Sequence, residues 1–105
     1  TGLSSLITIG YGAFANCASL TFEKLTNLSS LQTIDNYAFQ DCASLRKLDL
    51  SRSPITSIGE NAFIDCPVQI NMKQSSFDDI SSIEKINIDE FCNKIGITAD
   101  RLTLS

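Results

Sequence analysis

The residue types that carry chemistry are few in this sequence, which has four cysteines and no histidine. Zinc sites need converging nitrogen or sulfur ligands, usually supplied as close pairs, but the two closest cysteines, Cys42 and Cys66, are 24 residues apart. A cysteine or serine nucleophile would also lack the histidine that normally acts as its base. The sequence therefore favours buried, unpaired thiols that pack as small hydrophobic groups, over a zinc site, a disulfide or a catalytic cysteine.

Carboxylate pairs such as Asp78 and Asp79 offer the oxygen ligands that hard cations prefer. These two residues lie among serines in a polar insertion, residues 73–80, for which we expect a solvated loop. The sequence also shows no pair of side chains that could act as general acid and general base. We therefore predict no metal, no cofactor and no enzymatic activity.

Composition limits the classes of partner. The chain has 105 residues, a net charge of −4 and scattered basic residues, so nucleic acid is a poor partner. No apolar run approaches the roughly 20 residues of a membrane span, and no signal peptide is recognisable. We expect one domain over residues 1–105, and the Thr1 start suggests a segment of a longer protein.

The even spacing of the cysteines reflects an internal repeat. In three copies, an Ile is followed five residues later by Phe and three residues after that by Cys. These residues are Ile9, Phe14 and Cys17; Ile34, Phe39 and Cys42; and Ile58, Phe63 and Cys66. A divergent fourth copy has Ile86 and Phe91 at the same spacing, with Cys92 directly after the Phe. We predict about four repeats, with clear copies over about residues 3–72 and a divergent repeat or cap over 81–105.

Each repeated Ile precedes a residue that is common at helix N-caps. These residues are Gly10, Asp35, Gly59 and Asn87. We therefore expect a short helix in every copy, with the Ile and Phe packed as a hydrophobic staple and the Cys facing inward. The fourth helix is the fullest, because Asn87 and Glu90 match a capping box and Gly96 supplies a stop. Alternatively, Ser81 and Glu84 cap a longer helix and there is no fourth repeat.

Short alternating segments follow the expected helices and predict strands. Their inward residues include Leu48 and Leu50, while in the first copy the register of residues 20–25 is ambiguous. Such units cannot bury their apolar sides alone, so stacked copies should pair their strands in one short parallel sheet. The predicted fold is an α/β solenoid with short helical turns on the side opposite the sheet.

The side chains that alternate with the inward residues would lie on the exposed face of the sheet. Repeat proteins usually bind there, so these residues form the predicted protein-binding face. They are Thr21, Glu23, Lys24, Lys47, Asp49, Ser51, Gln69, Asn71, Lys73, Arg101, Thr103 and Ser105. The face is polar, mixed in charge and lacks an aromatic anchor.

The motifs of this chain resemble the BspA-like subclass of leucine-rich repeats. The best matching stretch runs from Leu45 to Cys66, as Leu-Arg-Lys-Leu-Asp-Leu and then Ile-Thr-Ser-Ile-Gly-Glu-Asn-Ala-Phe-Ile-Asp-Cys. The resemblance covers residues 3–72 well and residues 81–105 weakly. It departs from the pattern in the first strand and at the displaced Cys92.

The resemblance implies a leucine-rich-repeat fold in a protein displayed on the surface of, or secreted by, a host-associated bacterium or parasitic protist. It also implies a protein partner, such as a host extracellular-matrix or cell-surface protein, and no catalytic residues. A binding or adhesion module is the favoured function. The alternative is a structural spacer with no ligand of its own.

Overall fold

A computed structural model describes residues 4–21, 23, 25 and 27–105. Within these residues there are six strands: β1 Thr8–Ile9, β2 Thr33–Ile34, β3 Lys47–Leu50, β4 Ser57–Ile58, β5 Gln69–Met72 and β6 Leu102–Leu104. There are two α-helices, α1 Gln74–Glu84 and α2 Ile88–Ile95, and a 3-10 helix over Ala99–Arg101.

The described strands form two parallel sheets, where the sequence predicted one. In the first sheet, ordered β1-β2-β4, the repeated isoleucines lie in register: Ile9 beside Ile34 and Ile34 beside Ile58. The second sheet, ordered β3-β5-β6, contains the alternating segments. Because equivalent residues of successive copies pair in both sheets, the repeat in the sequence becomes a repeat in space.

The short helices expected in the first three copies are absent from the described residues, which instead form overlapping turns. In the first copy, the amide of Ala13 bonds to the carbonyl of Gly10, and Ala15 bonds in the same way to Gly12. These are bonds between residues i and i+3, which close β-turns rather than turns of an α-helix. The assignment of Gly10, Asp35 and Gly59 as helix N-caps was therefore wrong.

Residues with left-handed backbone explain why no helix forms here. Equivalent positions of the three copies have positive φ angles: Gly12, Tyr37 and Asn61, and four residues later Asn16, Asp41 and Asp65. A type II turn requires a positive φ at its third residue, whereas a right-handed helix excludes it. Gly, Asn and Asp tolerate this conformation best, so their recurrence was a local signal for turns.

The amides that a helix would have used internally bond to the next copy instead. Phe14 donates to the carbonyl of Ala38 at 2.8 Å, and Phe39 donates to that of Ala62 at 2.7 Å. The third copy continues the pattern, because Phe63 donates to the carbonyl of Ile95 in α2 at 2.9 Å. The turns of successive copies are thereby joined by a ladder of hydrogen bonds that runs beside the sheets.

Ten of the predicted core residues are buried: Ile9, Ile34, Phe39, Cys42, Leu48, Leu50, Ile58, Phe63, Cys66 and Phe91. Three others, Phe14, Cys17 and Ile86, are half-buried and pack against this core. The phenyl rings stack between copies, with centroids 5.3 Å apart for Phe14 and Phe39 and 5.2 Å for Phe39 and Phe63. One continuous core therefore joins the three copies.

The polar insertion over residues 73–80, for which a loop was predicted, forms the first part of α1 instead. Ser76, Phe77 and Ile80 of this helix are buried, whereas Asp78 and Asp79 are exposed. The apolar spacing of Phe77 and Ile80 places both on one face of a helix, which the polarity of the surrounding residues masked. No described helix has the length and apolar character needed to cross a membrane.

Helix α2 is the one helix that the repeat pattern predicted and the structure contains. Asn87 accepts a hydrogen bond from the amide of Glu90, whose side chain accepts one from the amide of Asn87, which completes the capping box. Gly96 ends the helix with a φ of 91°. The alternative helix capped by Ser81 and Glu84 was wrong, because both residues lie in the last turn of α1.

Candidate binding face

The sheet β3-β5-β6 brings five of the predicted face residues together in paired rows. Lys47 lies beside Gln69, and Asp49 lies beside Asn71, which in turn lies beside Thr103. Asn71 is half-buried and the other four residues are exposed. Because side chains alternate along a strand, the residues between them point into the core. We call these five residues the sheet face.

A groove of about 470 Å³ extends the sheet face beyond β3 toward the first copy. It is lined by Leu25, Asn27, Leu28, Ser29, Lys47, Asp49, Arg52 and Ser53. A second depression, of about 230 Å³, lies over the paired rows of the sheet itself and is also bordered by Lys47 and Asp49. The two concavities therefore meet along β3.

The groove contains residues that the sequence reasoning missed. Ser53 is buried, and its hydroxyl donates a 2.6 Å hydrogen bond to the carbonyl of Leu28 in the preceding copy. Arg52 and Asn27 are exposed and border the same groove. These residues follow the strands and lie outside the period-2 alternation, so strand periodicity does not identify them.

The carboxylate of Asp49, on the sheet face, is held by hydrogen bonds from a neighbouring residue. Hydrogen bonds from the hydroxyl and the amide of Ser51 lower the pKa of Asp49, since they stabilise the carboxylate. The amide contact is 2.9 Å long. Asp49 is therefore ionised at neutral pH. On the adjacent strand, the side-chain oxygen of Asn71 is buried and has no hydrogen-bond partner among the described residues.

Other predicted face residues have different positions. Arg101 belongs to the 3-10 helix, and its guanidinium donates a 3.2 Å hydrogen bond to the carbonyl of Cys66. Lys73 is half-buried and immediately precedes α1. Ser51 is half-buried in the turn after β3. Ser105 is exposed at the end of β6, where its amide bonds to the carbonyl of Met72.

The predicted face residues of the first copy lie outside both described sheets. Thr21 is half-buried and Glu23 is exposed, but neither belongs to a strand. Lys24 lies outside the described residues. The described part of the first copy therefore adds no strand to the sheet face, and the groove adjoins this part of the copy.

Three of the four cysteine thiols are buried in the core. Cys42, Cys66 and Cys92 are buried and unpaired, and Cys17 is half-buried. Burial raises the pKa of each buried thiol, and that of Cys66 reaches about 12. Since the thiolate is the reactive form, these groups act as small apolar side chains. No described group of three or more acidic or cysteine residues could hold a metal ion.

Comparison with known sequences gives one match. The family model described as the BspA type leucine-rich repeat region (6 copies) matches residues 2–99 of the chain. No curated protein and no solved structure matches the chain.

Proposed function

This chain belongs to the BspA-type leucine-rich repeat family, and we propose that it is an adhesion module that binds a protein partner through the sheet face and the adjoining groove. The family supports a protein-interaction module, because its repeats are typically non-enzymatic interaction units. Surface display or secretion is typical of the family and forms part of the proposal. The partner that fits this proposal is a host extracellular-matrix or cell-surface protein.

The observation that carries the proposal is the register of the sheet face. Asp49, Asn71 and Thr103 form one row across three strands, and Lys47 and Gln69 form a second. Equivalent positions hold a different residue type in each copy, while the inward residues stay apolar. Different polar groups at fixed spacing on a rigid sheet suit recognition of a particular protein surface.

The chemistry of the sheet face limits the affinity of one such module. It has no aromatic side chain, and aromatic residues supply many of the strongest contacts at protein interfaces. Three strands also present a small area. We therefore infer that tight attachment requires several such modules acting together, because linked weak sites gain affinity through their effective concentration.

A continuous solenoid is the architecture in which such modules would combine. Two observations support this part of the proposal: the strands of both sheets pair in parallel, and the rings of Phe14, Phe39 and Phe63 stack. A solenoid of this kind would align the sheet faces of successive repeats into one extended surface.

The proposal is tested by binding to a panel of immobilised extracellular-matrix proteins and cell-surface glycans. Asp49→Lys reverses an ordered charge of the sheet face, and we expect it to weaken binding to the preferred matrix protein about tenfold. Asp79→Lys is the matched control, because Asp79 is also exposed but lies on α1. Equal binding by both variants and the unaltered chain would place the contact elsewhere.

A structural spacer is the second candidate. One polar group of the groove favours it, because the buried hydroxyl of Ser53 already bonds to the carbonyl of Leu28 and so serves the fold itself. A spacer predicts no binding to any member of the panel by the parent protein, even when several modules are presented together on one bead. Saturable binding that Asp49→Lys weakens would exclude it.

A further inference from the structure

Residues 27–29, Asn-Leu-Ser, match the pattern at which secreted proteins receive N-linked glycans: an Asn, any residue except Pro, and then Ser or Thr. No other asparagine of the chain is followed by Ser or Thr at that distance. Because so short a pattern also arises by chance, the structure around these three residues decides whether it is usable.

The three residues alternate between the surface and the core. The side chains of Asn27 and Ser29 are exposed, whereas that of Leu28 between them is 4% exposed. The carbonyl of Leu28 accepts a 2.6 Å hydrogen bond from the buried hydroxyl of Ser53, which fixes the peptide in this orientation. Asn27 and Ser29 also border the same groove beside β3. The amide and the hydroxyl that the pattern requires therefore face solvent together.

The side chain of Asn27 is not used to hold the fold. Within the described part of the chain, no hydrogen bond engages the side chain of Asn27 or of Ser29. By contrast, the side-chain oxygen of Asn36 accepts the amide of Glu60 at 2.8 Å, and Asn87 caps α2. Asn27 lies outside the strands and helices with a φ of 59°, a conformation that Asn tolerates well. A bulky sugar attached there would remain in solvent.

We propose that Asn27 is the acceptor of an N-linked glycan when the chain passes through a eukaryotic secretory pathway, which rests on the secretion included in the proposed function. The co-reactant is an oligosaccharide carried on a lipid diphosphate. The Nδ2 atom of Asn27 forms a bond to C1 of the first sugar while the bond from C1 to the diphosphate oxygen breaks. The lipid diphosphate leaves with that electron pair, and one amide proton passes to a base of the transferase.

The position of this glycan limits access to one part of the proposed binding surface. Asn27 borders the groove of about 470 Å³ that Lys47 and Arg52 also line, so the sugar stands in front of these two side chains. The depression over β5 and β6, bordered by Gln69 and Thr103, is not lined by Asn27 and stays open. The glycosylated chain therefore presents the sheet face with its groove covered.

The modification is tested by secreting the 105-residue chain from cultured eukaryotic cells behind a heterologous signal peptide. We expect one glycan, which an N-glycan amidase removes with a shift to lower mass. Asn27→Gln and Ser29→Ala should each abolish the shift, and Ser29→Thr should keep it, because threonine retains the hydroxyl. Asn93→Gln is the matched control, since Asn93 is exposed but lacks the pattern. A secreted chain without a glycan, or a glycan that persists in Asn27→Gln, would overturn the proposal.

A second measurement tests where the glycan lies. An amine-reactive biotin ester should label Lys47 severalfold more slowly in the glycosylated chain than in Asn27→Gln, because Lys47 borders the groove. Labelling of Lys85, which is exposed between α1 and α2, should be equal in both. Equal labelling of Lys47 would overturn the placement over the groove. Neither assay uses a partner protein, so failure of the adhesion proposal and failure of this one are distinguishable.

Discussion

The two ends of the molecule use the same repeated residue types in different ways. At the N-terminal end, Phe14 and Cys17 are half-buried, and the neighbouring Ala13 is exposed. At the C-terminal end, Phe91 and Cys92 are fully buried. The difference comes from covering structure, because α1 and α2 pack over the C-terminal end, whereas the described part of the chain leaves the N-terminal end open.

In this fold, the burial of a repeated side chain depends more on the element that packs against it than on its residue type. A single strand-and-turn copy cannot enclose its own apolar side chains. At the C-terminal end, an amphipathic helix replaces the next copy, with Phe91 and Ile95 inward and Asp89 outward. The helix also accepts the last amides of the turn ladder, so it closes both the core and the hydrogen bonding.

The largest expected difference between the ends concerns their phenylalanines. Phe91→Ala should lower the free energy of unfolding by about 3–5 kcal/mol, because it leaves a cavity beside Phe77, whose ring centroid is 5.4 Å away. Phe14→Ala should cost clearly less, because water already reaches part of that ring. Urea-induced unfolding followed by circular dichroism measures both values. Equal costs would mean that the N-terminal end is as closed as the other.

The second prediction compares glycines. Gly96 has a φ of 91°, and an added Cβ atom would lie 2.9 Å from the amide nitrogen of Ile64. Gly96→Ala should therefore lower the free energy of unfolding by about 1–3 kcal/mol. Gly10→Ala should change it by less than about 0.5 kcal/mol, because nothing lies within 4 Å. A large cost at Gly10, measured by the same urea titration, would show that the N-terminal end is covered.

The third prediction weakens the closed end through its helix cap. Asn87→Ala removes the side chain that accepts the amide of Glu90, and we expect a loss of about 1 kcal/mol. Asn93→Ala is the matched control, because Asn93 is exposed within the same helix and alanine favours helix. Helical circular dichroism during thermal unfolding reports both changes. A neutral Asn87→Ala would show that packing alone holds α2.

The smallest effect concerns the cysteines of the two ends. An aromatic disulfide reagent at pH 8 should label Cys17 in the folded protein, because its side chain is half-buried. Cys92 should react only after unfolding, because it is 1% exposed and burial raises its pKa. Mass spectrometry of labelled peptides distinguishes the two. Equally fast labelling of both in the native state would contradict a closed C-terminal end.

The same thiol shift gives a pH dependence. A raised pKa in the folded state means that Cys92 contributes stability below the ordinary thiol pKa of about 8.5. This contribution is lost as the pH rises above that value, because only the unfolded thiol ionises freely. We therefore expect the urea midpoint to fall more steeply above about pH 8.5 in the unaltered chain than in Cys92→Ala.

Sequence patterns predicted the parts of this fold that depend on short-range spacing. The strand β3 follows from the alternation of Lys47–Leu50, and α2 follows from Asn87, Glu90 and Gly96. Strand periodicity predicted the five residues of the sheet face, because they alternate with inward residues along β3, β5 and β6. The groove beside β3 was not predicted, because Arg52 and Ser53 reach it from a turn that has no such period.

By itself, the sequence determined the repeat, the apolar positions that build the core, the capped helix α2 and the polar residues of β3 and β5. The recurring Gly, Asn and Asp residues favour turns around Phe14, Phe39 and Phe63, but the tertiary structure decided between turns and short helices. A short helix and a chain of turns use similar local residues, and the choice depends on where the backbone amides find acceptors. Here those acceptors are the carbonyls of Ala38 and Ala62 in the next copy and, for Phe63, the carbonyl of Ile95 in α2.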